Sequence, residues 1–405
     1  MGLKGKHIVL GVTGSIAAYK AADLASKLVQ QGAQVSVIMT RAAQEFITPL
    51  TFRSITHQPV VAEWWDPDSA LAIQHVQLAE SADAVLVAPA TADIIAKIAH
   101  GLADDPLTGT VLATQAPLLL APAMDAHMFE NPATQRNVST LKAQGATFIG
   151  PERGRLASGL TGYGRLAAPE TILGVLAQVL GRNGDLAGRT IVVSAGGTQE
   201  PIDPVRIITN RSSGKMGYAL AEAARDRGAT VAMITAASLP DPVGIQSHHV
   251  ETVAQMREAV LAACAGADAL IMAAAVSDYR PAEIASQKIK KGPEGDGLTL
   301  RLVKNQDFFL EVPLGVLRVG FAAESEDLLN NARKKIKAKD LAFIAANDIT
   351  LPNSGFGADD NKVTLLDASG DLEDLPLMSK YQVADRILDR VVKLLGKQVK
   401  RPTDA

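Results

Sequence analysis

Two α/β domains in tandem, each built on a parallel sheet, are predicted by three features of this 405-residue sequence. Two segments share one plan: an apolar β-branched run, a glycine-bearing turn, an amphipathic stretch and a second apolar run. Five further runs are nearly continuously apolar over strand length, as expected of strands covered on both faces. A Gly-rich polar stretch, QVLGRNGDLAGR (178–189), separates the two plans. A strand–helix–strand plan implies parallel strands joined by right-handed crossovers. Both domains are therefore expected to be Rossmann-like, spanning 1–188 and 189–405.

The first plan is HIVLGVTGSIAAYKAADLASKLVQQGAQVSVIMT (7–40). Leu24, Leu28 and Val29 recur at three- and four-residue spacing and form the buried stripe of its helix. Gly32 stops that helix, and AQVSVIMT is the next strand. Then come the strands DAVLVAPAT (83–91) and APLLLAPAM (116–124). The second plan, 190–235, has a much longer loop after its first strand; its helix starts near Lys215 and ends at Gly228. ADALIMAAAVSD (267–278), LRVGFAAE (317–324) and LAFIAAND (341–348) complete its strands. Several runs end in small or polar residues at strand carboxyl ends, where open α/β sheets bind ligands. The basic tail KQVKRPTDA is expected to fray.

Composition narrows the function. Hydrophobic residues make up 47% and charged residues 20%, with a net charge of −3, so the chain is globular and carries no basic excess for nucleic acid. The lone Cys264 excludes an intrachain disulfide or a multi-thiolate zinc site, and its small apolar neighbours mark it as core. No apolar run is long enough to span a bilayer. The start MGLKGKHIVLGV lacks a signal-peptide pattern, and Lys6 stands where myristoylation wants Ser or Thr. A cytoplasmic protein without membrane or nucleic-acid partners is expected.

The loop GVTGSIAAYK (11–20) follows a strand and opens a helix, which suits a phosphate and equally suits a simple tight turn. It is not the G-x-G-x-x-G fingerprint. Read with HVQLAESAD (75–83), PATADIIAKIAHGLADDPLT (89–108) and APAMDAHMF (121–129), the first 185 or so residues resemble the flavin-containing cysteine decarboxylases, and specifically phosphopantothenoylcysteine decarboxylases. The resemblance implies a flavodoxin-like domain that binds FMN. It places the flavin phosphate at Gly14, Ser15 and Ile16, with contacts from Thr40, Pro89, Ala90, Thr91 and Met124. It also implies trimeric flavoprotein domains with the flavin near subunit boundaries. In that family the thiol-bearing carbon is oxidised, CO2 leaves, and the resulting ene-thiol is reduced. His75 matches the active-site histidine, as base or proton shuttle. His100, His127, His248 and His249 are read as structural or rim residues.

Two positions depart from the family pattern. Asp125 stands where many members have asparagine, and an ionised Asp cannot donate to a substrate carboxylate. Ser158, in RLASGLTGYGRL (155–166), stands where many have a cysteine acid, and an alcohol is a far weaker proton donor than a thiol. Both are retained as catalytic candidates. The glycines of this loop fit either a lid or a solvated connection.

In the second domain, SAGGTQEPIDPVRIITNRSSGKMG (194–217) offers backbone donors, hydroxyls and cations for anions. It is not Walker A, because Lys215 is followed by Met216. Together with MAAAVSDYRP (272–281), KIKK (288–291), VKNQD (303–307), VGFAAES (319–325) and the segment 332–348, it resembles phosphopantothenate–cysteine ligases. That resemblance implies a dimerising ligase domain using CTP and Mg2+, through an acyl-cytidylate. Lys288 matches the catalytic lysine. Asn210 is assigned to the acyl-cytidylate step and, with Arg206, to the substrate. Nucleotide contacts are assigned to Met272, Ala273, Ala274, Asp278, Lys288, Gln306, Asp307, Phe308, Phe309, Phe321, Lys335 and Lys339, with Asp278 also the metal candidate. Lys335 and Lys339, spaced i, i+4, equally fit a solvated basic face, and Arg206 equally fits a loop ion pair.

The expected function is therefore bifunctional: CTP-dependent ligation of 4′-phosphopantothenate to cysteine, then FMN-dependent decarboxylation to 4′-phosphopantetheine, in a homo-oligomer. One rival is an active ligase whose flavin domain is mainly a scaffold or releases the ene-thiol. Another, a nicotinamide oxidoreductase, lacks its glycine fingerprint in either plan.

Overall fold

A computed structural model describes residues 2–64, 74–290, 298–324, 328–348 and 357–397. Lys291 and the basic tail from 398 onward lie outside the described residues. The chain divides into two compact units between Leu180 and Gly181. Asp185 pairs with Arg227, and Leu186 is fully buried in the second unit's core, so the second unit starts a few residues before the expected 188/189 division.

The first unit runs β1 (His7–Val12), α1 (Ala18–Gln30), β2 (Gln34–Met39), α2 (Pro49–Thr56), β3 (Val60–Val61), α3 (Gln74–Ser81), β4 (Ala84–Ala90), α4 (Ala92–Ala99), α5 (Pro106–Ala113), β5 (Leu118–Pro122), α6 (Ala126–Glu130), α7 (Pro132–Ala143) and β6 (Thr147–Phe148). An antiparallel hairpin, β7 (Glu152–Arg155) and β8 (Thr161–Arg165), and α8 (Pro169–Gly181) complete it. The parallel sheet has the order β3-β2-β1-β4-β5-β6. Alternate residues of β1 serve opposite faces: Ile8, Leu10 and Val12 pack with α1 and α8, while Val9 packs with Ile94, Leu107 and Val138. Burial of each such side chain is worth about 1.5–3 kcal/mol. The order reverses between β1 and β4, so the loops after these strands part and leave a crevice.

The second unit runs β9 (Thr190–Ala195), β10 (Gln199–Pro201), β11 (Ile207–Thr209), α9 (Lys215–Arg225), β12 (Thr230–Thr235), β13 (Gln246–His249), α10 (Val253–Ala263), β14 (Ala269–Met272), β15 (Tyr279–Pro281), β16 (Leu302–Lys304), β17 (Leu317–Glu324), α11 (Leu328–Lys339) and β18 (Phe343–Asp348). β19 (Asp360–Asn361), β20 (Val363–Asp367), β21 (Leu372–Asp374), β22 (Met378–Ser379) and α12 (Lys380–Lys397) follow. The main sheet is β13-β12-β9-β14-β17-β18-β20-β21, parallel up to β18 and antiparallel beyond it. α9 lies directly on β9: a Cβ on Gly217 would stand 2.5 Å from that of Ala195, so only glycine permits this approach. Cys264 is buried at the end of α10 and its thiol is pushed up to about 11 by burial, which suits packing and not nucleophilic work.

Two expectations change. The run 267–278 is a strand only to Met272, because beyond it the backbone bonds to a neighbouring loop: Ala275 N–H to the Gly196 carbonyl at 2.8 Å, and Ser277 N–H to Thr198 Oγ1 at 2.9 Å. The antiparallel edge β20–β21 carried no strong sequence signal, since β21 is three residues long and exposed on both ends.

Candidate active sites

In the first unit the crevice between the ends of β1 and β4 is a cleft of about 1170 Å3. Its floor is built from helix caps. Thr91 caps α4, accepting from Ile94 N–H at 3.3 Å, and Asp105 caps α5 through a reciprocal box with Thr108. Thr40 accepts from Ala43 N–H at 3.3 Å and Ser15 from Ala17 N–H at 3.2 Å. Because these three hydroxyl oxygens accept from backbone, each can direct its own proton into the cleft. Lys20 and Arg41 add positive charge, and Ile16, Phe46, Met124, Met128 and Leu156 add apolar wall. Hydroxyl donors, cations and apolar side chains gathered in one cleft suit a planar aromatic group with a phosphate tail, so the residues present fit a flavin mononucleotide.

Of the expected cofactor residues, Gly14, Ser15, Ile16, Thr40, Thr91 and Met124 line this cleft. Pro89 and Ala90 are buried behind it. There their carbonyls accept from Thr13 Oγ1 at 2.7 Å and Ala123 N–H at 3.0 Å, tying together the strand ends that form the wall.

Asp125 and Ser158 meet at the cleft. Asp125 caps α6, its Oδ1 accepting from His127 N–H at 3.0 Å, and Ser158 Oγ–H donates to Asp125 Oδ2 at 2.5 Å. These bonds hold the Asp125 carboxyl below its usual range, the Ser158 hydroxyl contributing most. At neutral pH Asp125 is therefore a carboxylate. The hairpin carrying Ser158 is seated, not suspended: Met124 N–H donates to the Gly164 carbonyl at 3.0 Å, and a Cβ at Gly164 would stand 2.1 Å from the Met124 carbonyl oxygen. Close approach explains this glycine better than lid flexibility does.

His75 does not line its own chain's cleft. It opens α3 with its ring edge-on to Trp64 at 4.7 Å, and Trp64 Nε1–H donates to the Asp104 carbonyl at 3.1 Å, on the cleft rim. Sequence reading missed Trp64, whose partners lie far along the chain. It also gave no role to the cleft-lining Tyr19, Lys20, Asp104, Arg155 and Arg165, although they lie within stretches it quoted, and it missed Arg41 and Phe46, which lie outside them.

In the second unit a smaller pocket of about 140 Å3 opens just past the end of β14, beside β17 and β18. The start of α9, 212–217, meets Ala273, Ala274 and Phe321 there, with Asn347, Asn361 and Lys380 opposite. Lys380 is 7% exposed and donates to the Asp360 carbonyl at 3.1 Å, while burial and then the Lys215 charge push its pKa down. Lys215 binds Asp359 at 2.7 Å. Asn347 fell inside a stretch read from sequence, but Asn361 and Lys380 did not, because the chain folds back to deliver them.

The other expected ligase residues fall into separate groups outside the residues that line this pocket. Asn210 Nδ2–H donates to the Ala275 carbonyl at 3.1 Å. Asp307 and Lys339 pair at 3.0 Å, with Lys339 Nζ 5.6 Å from the Phe309 ring centre. Burial raises the Asp307 pKa, but bonds from Lys339 and Phe309 N–H outweigh it and hold the carboxyl low. Phe308 and Phe309 are buried core, and Gln306 Nε2–H donates to Glu311. Met272 is 7% exposed and accepts from Ser194 Oγ–H. Lys335 is half-buried one turn before Lys339, and Asp278 is exposed. Among the described residues no cluster of three or more His, Cys, Asp or Glu forms a metal cage.

Arg206 forms the loop ion pair. It binds the carboxylate of Asp203, a residue whose side chain is fully buried. Arg206 Nη2–H also donates to the Ile289 carbonyl at 3.0 Å, next to the exposed Lys288.

Comparison with known proteins covers nearly the whole chain. The family described as flavoprotein matches residues 2–181, and the DNA/pantothenate metabolism flavoprotein C-terminal domain matches 186–395. The coenzyme A biosynthesis bifunctional protein CoaBC of Vibrio vulnificus (strain CMCP6) is 44% identical over 399 residues, 97% of this chain and 99% of that protein. Its namesakes from Bacillus subtilis (strain 168) and Escherichia coli (strain K12) are 44% and 42% identical, each over 97% of this chain and 98% of the relative. Among solved structures, the C-terminal domain of a CoaBC protein is 34% identical, covering 53% of this chain and 100% of that one, at a TM-score of 0.45. A PPC decarboxylase mutant complexed with pantothenoylaminoethenethiol is 32% identical over 43% of this chain and 97% of its own, at 0.38.

Proposed function

The chain belongs to the family of bifunctional coenzyme A biosynthesis proteins, and from that membership we propose that its two units catalyse consecutive steps. The second unit joins 4′-phosphopantothenate to cysteine with CTP and Mg2+. The first, with FMN in its cleft, decarboxylates the product to 4′-phosphopantetheine. The observation that carries the reading is the cleft at the β1/β4 switch point, where the hydroxyls of Ser15, Thr40 and Thr91 and the Asp125–Ser158 pair converge.

In the decarboxylase half, Ser15, Thr40 and Thr91 would hold the cofactor's phosphate end by donating hydrogen bonds, and Ile16 and Met124 would exclude water from its ring. A bound flavin supplies the two-electron exchange that makes a cysteinyl carboxylate able to leave as CO2. Ser158 faces the substrate's cysteinyl end and relays the final proton from water, with the Asp125 carboxylate orienting its hydroxyl. His75 serves as base. Because its ring lies outside its own chain's cleft, it acts at the cleft of a neighbouring copy, in keeping with trimeric flavoprotein domains.

In the ligase half, the phosphopantothenate carboxylate attacks the nucleotide α-phosphate, pyrophosphate leaves, and the cysteine amine displaces CMP from the acyl-cytidylate. Charge develops on phosphate oxygens, so preplaced cations do most of the work. Lys288, Lys335 and Lys339 supply them, and Ala273, Ala274 and Phe321 flank the nucleotide. Asp278 holds Mg2+, which typically takes one or two carboxylates and completes its shell with phosphate and water. Asn210 steadies the acyl-cytidylate beside the Ala275 carbonyl. Dimeric ligase domains and a cytoplasmic setting belong to the same reading; no helix among the described residues is long and apolar enough to cross a membrane.

A second reading is favoured by one observation: Asp125 is ionised and accepts the hydrogen bond of the Ser158 hydroxyl, itself a very weak acid, so the pair offers no effective acid at neutral pH. On that reading the first unit releases the ene-thiol. Incubation of the pure protein with phosphopantothenate, cysteine, CTP and Mg2+, followed by mass spectrometry, separates the cases. Phosphopantetheine supports the full sequence. A product two hydrogens lighter supports the second reading, and no amide formation overturns both.

A further inference from the structure

The segment that carries Lys288 has no helix or strand of its own, and most of its side chains are exposed. A lysine on such a segment is not placed by local structure. What fixes this one is a clasp from the β10–β11 connection. Asp203 Oδ1 accepts from Val205 N–H and Arg206 N–H, each at 2.9 Å. Oδ2 accepts from Arg206 Nε–H at 3.0 Å and reaches across to Ile289 N–H at 3.1 Å. Arg206 Nη2–H donates to the Ile289 carbonyl at 3.0 Å, so both backbone groups of the residue after Lys288 are held by one ion pair. Ala285 N–H donates to the Ile202 carbonyl at 3.0 Å, laying the rest of the segment along the same connection.

Asp203 is a costly residue to place there. Its side chain is 0% exposed, and a buried carboxylate persists only when fully paired. Capping the turn needs one oxygen, which Ser or Asn supplies at less desolvation cost. The second oxygen and the full charge are used on Arg206 and Ile289.

We propose that Asp203 is the positioning residue for Lys288, setting the lysine's place in the ligase reaction through the clasp on Ile289. The proposal rests on the reading that Lys288 stabilises the transferring phosphate. A displacement near 1 Å in such a site costs on the order of 100-fold in rate.

The test uses the full-length protein in four forms: unchanged, Asp203→Asn, Lys288→Gln and the double variant. Ligase kcat and KM for CTP are measured, with decarboxylase turnover and thermal melting as checks of folding. Asp203→Asn is expected to lower ligase kcat roughly 10–100-fold with KM for CTP within about threefold. The double variant is expected to match Lys288→Gln alone, because a misplaced lysine and a missing one are the same loss. Equal additional loss in the Lys288→Gln background would mean Asp203 acts elsewhere and overturns the proposal, as does a near-normal kcat in Asp203→Asn. Full ligase activity in Lys288→Gln would instead refute the assignment of Lys288. Asp203→Ser is the second variant: it keeps an oxygen to cap Val205 and Arg206 but none for Ile289. If Asp203 only caps the turn, Ser restores activity; if it positions Lys288, Ser does not.

Discussion

Replacing Gly164 with alanine tests whether the hairpin β7–β8 must sit on the start of α6 for decarboxylation. The added Cβ would stand 2.1 Å from the Met124 carbonyl oxygen, 3.2 Å from its carbon and 3.4 Å from Ala126 N. All three atoms are backbone, so no side chain can rotate away. The strand must retreat by roughly 1 Å, at a cost of about 1–3 kcal/mol for overpacking. The Met124 N–H···O bond to Gly164, 3.0 Å long, then lengthens beyond use, which adds about 0.5–1.5 kcal/mol. Since Asp125 follows Met124 directly and Ser158 rides on the hairpin, their 2.5 Å bond is lost as well. A catalytic group moved by about 1 Å costs on the order of 100-fold in rate. The expected outcome is a decarboxylation rate roughly 10–100-fold down, read as CO2 released from phosphopantothenoylcysteine, with FMN still bound. Pyrophosphate release by the ligase, measured on the same preparation, should stay within about twofold, because the second unit has its own core. Unchanged decarboxylation, or a parallel fall of both activities, would refute the claim that hairpin seating controls this site.

Other substitutions probe separate parts. Ser158→Cys puts a thiol, of pKa ~8.5, where an alcohol stands, so the ratio of phosphopantetheine to ene-thiol in the product mass spectrum should rise; an unchanged ratio would show that the final proton comes from elsewhere. Trp64→Ala removes the edge-on partner of His75 and leaves its ring unsupported, so decarboxylation should fall about tenfold or more while amide formation continues; equal rates would exclude a role for this pair. Asn210→Ala deletes the donor to the Ala275 carbonyl and should slow amide formation about 10–100-fold, with rapid-quench sampling detecting a change in acyl-cytidylate level. Glu222 is half-buried on α9, and this partial burial raises its pKa above the usual 4.5 despite Arg225 nearby. A carboxyl whose folded-state pKa is raised binds its proton more tightly when folded, so its stabilising contribution is present below the unfolded pKa and is lost as pH rises through the folded one. Glu222→Gln should therefore raise Tm at pH 8, by about 2–4 °C per kcal/mol recovered, and leave it unchanged near pH 4; a loss of stability at pH 8 would refute this.

What the sequence made legible follows from how far apart the interacting residues are. Leu24 and Leu28 mark α1 because helical periodicity is local, and both are buried as that spacing requires. In the first unit the turn at Ser15 was legible as a strand-to-helix loop, while Thr40 and Thr91, which directly follow strand ends, were picked out through the family resemblance. The meeting of Asp125 with Ser158 was not legible, although both were singled out, since 33 positions separate them and only the seated hairpin joins them. The clasp of Asp203 on Ile289 spans 86 positions, and its local signal, Asp before Pro in a turn, is what any capped loop carries. Lys380 and Asn361 were missed because they reach the second pocket only after the chain reverses into the antiparallel edge of the sheet.

The same separation divides location from chemistry in both units. A parallel sheet whose strand order reverses opens a crevice at the carboxyl ends of its central strands, and helix starts supply donors there whatever the sequence of the loops. β1 with β4, and β9 with β14, obey that rule, and the candidate cleft of the first unit lies at the first of these reversals. Further candidate groups are carried by irregular pieces: the β7–β8 hairpin bearing Ser158 at the cleft of the first unit, and in the second the β10–β11 connection with its clasp on the Lys288 segment. Neither piece belongs to a main sheet, and each is held by a few hydrogen bonds to backbone. Substitutions in the strands should therefore change stability in proportion to buried volume while leaving product identity intact. Substitutions at Gly164 or Asp203 should instead lower the rate of their own unit's reaction by more than their cost in stability explains, since they alter where a candidate reacting group stands while the side chains of each core remain in place.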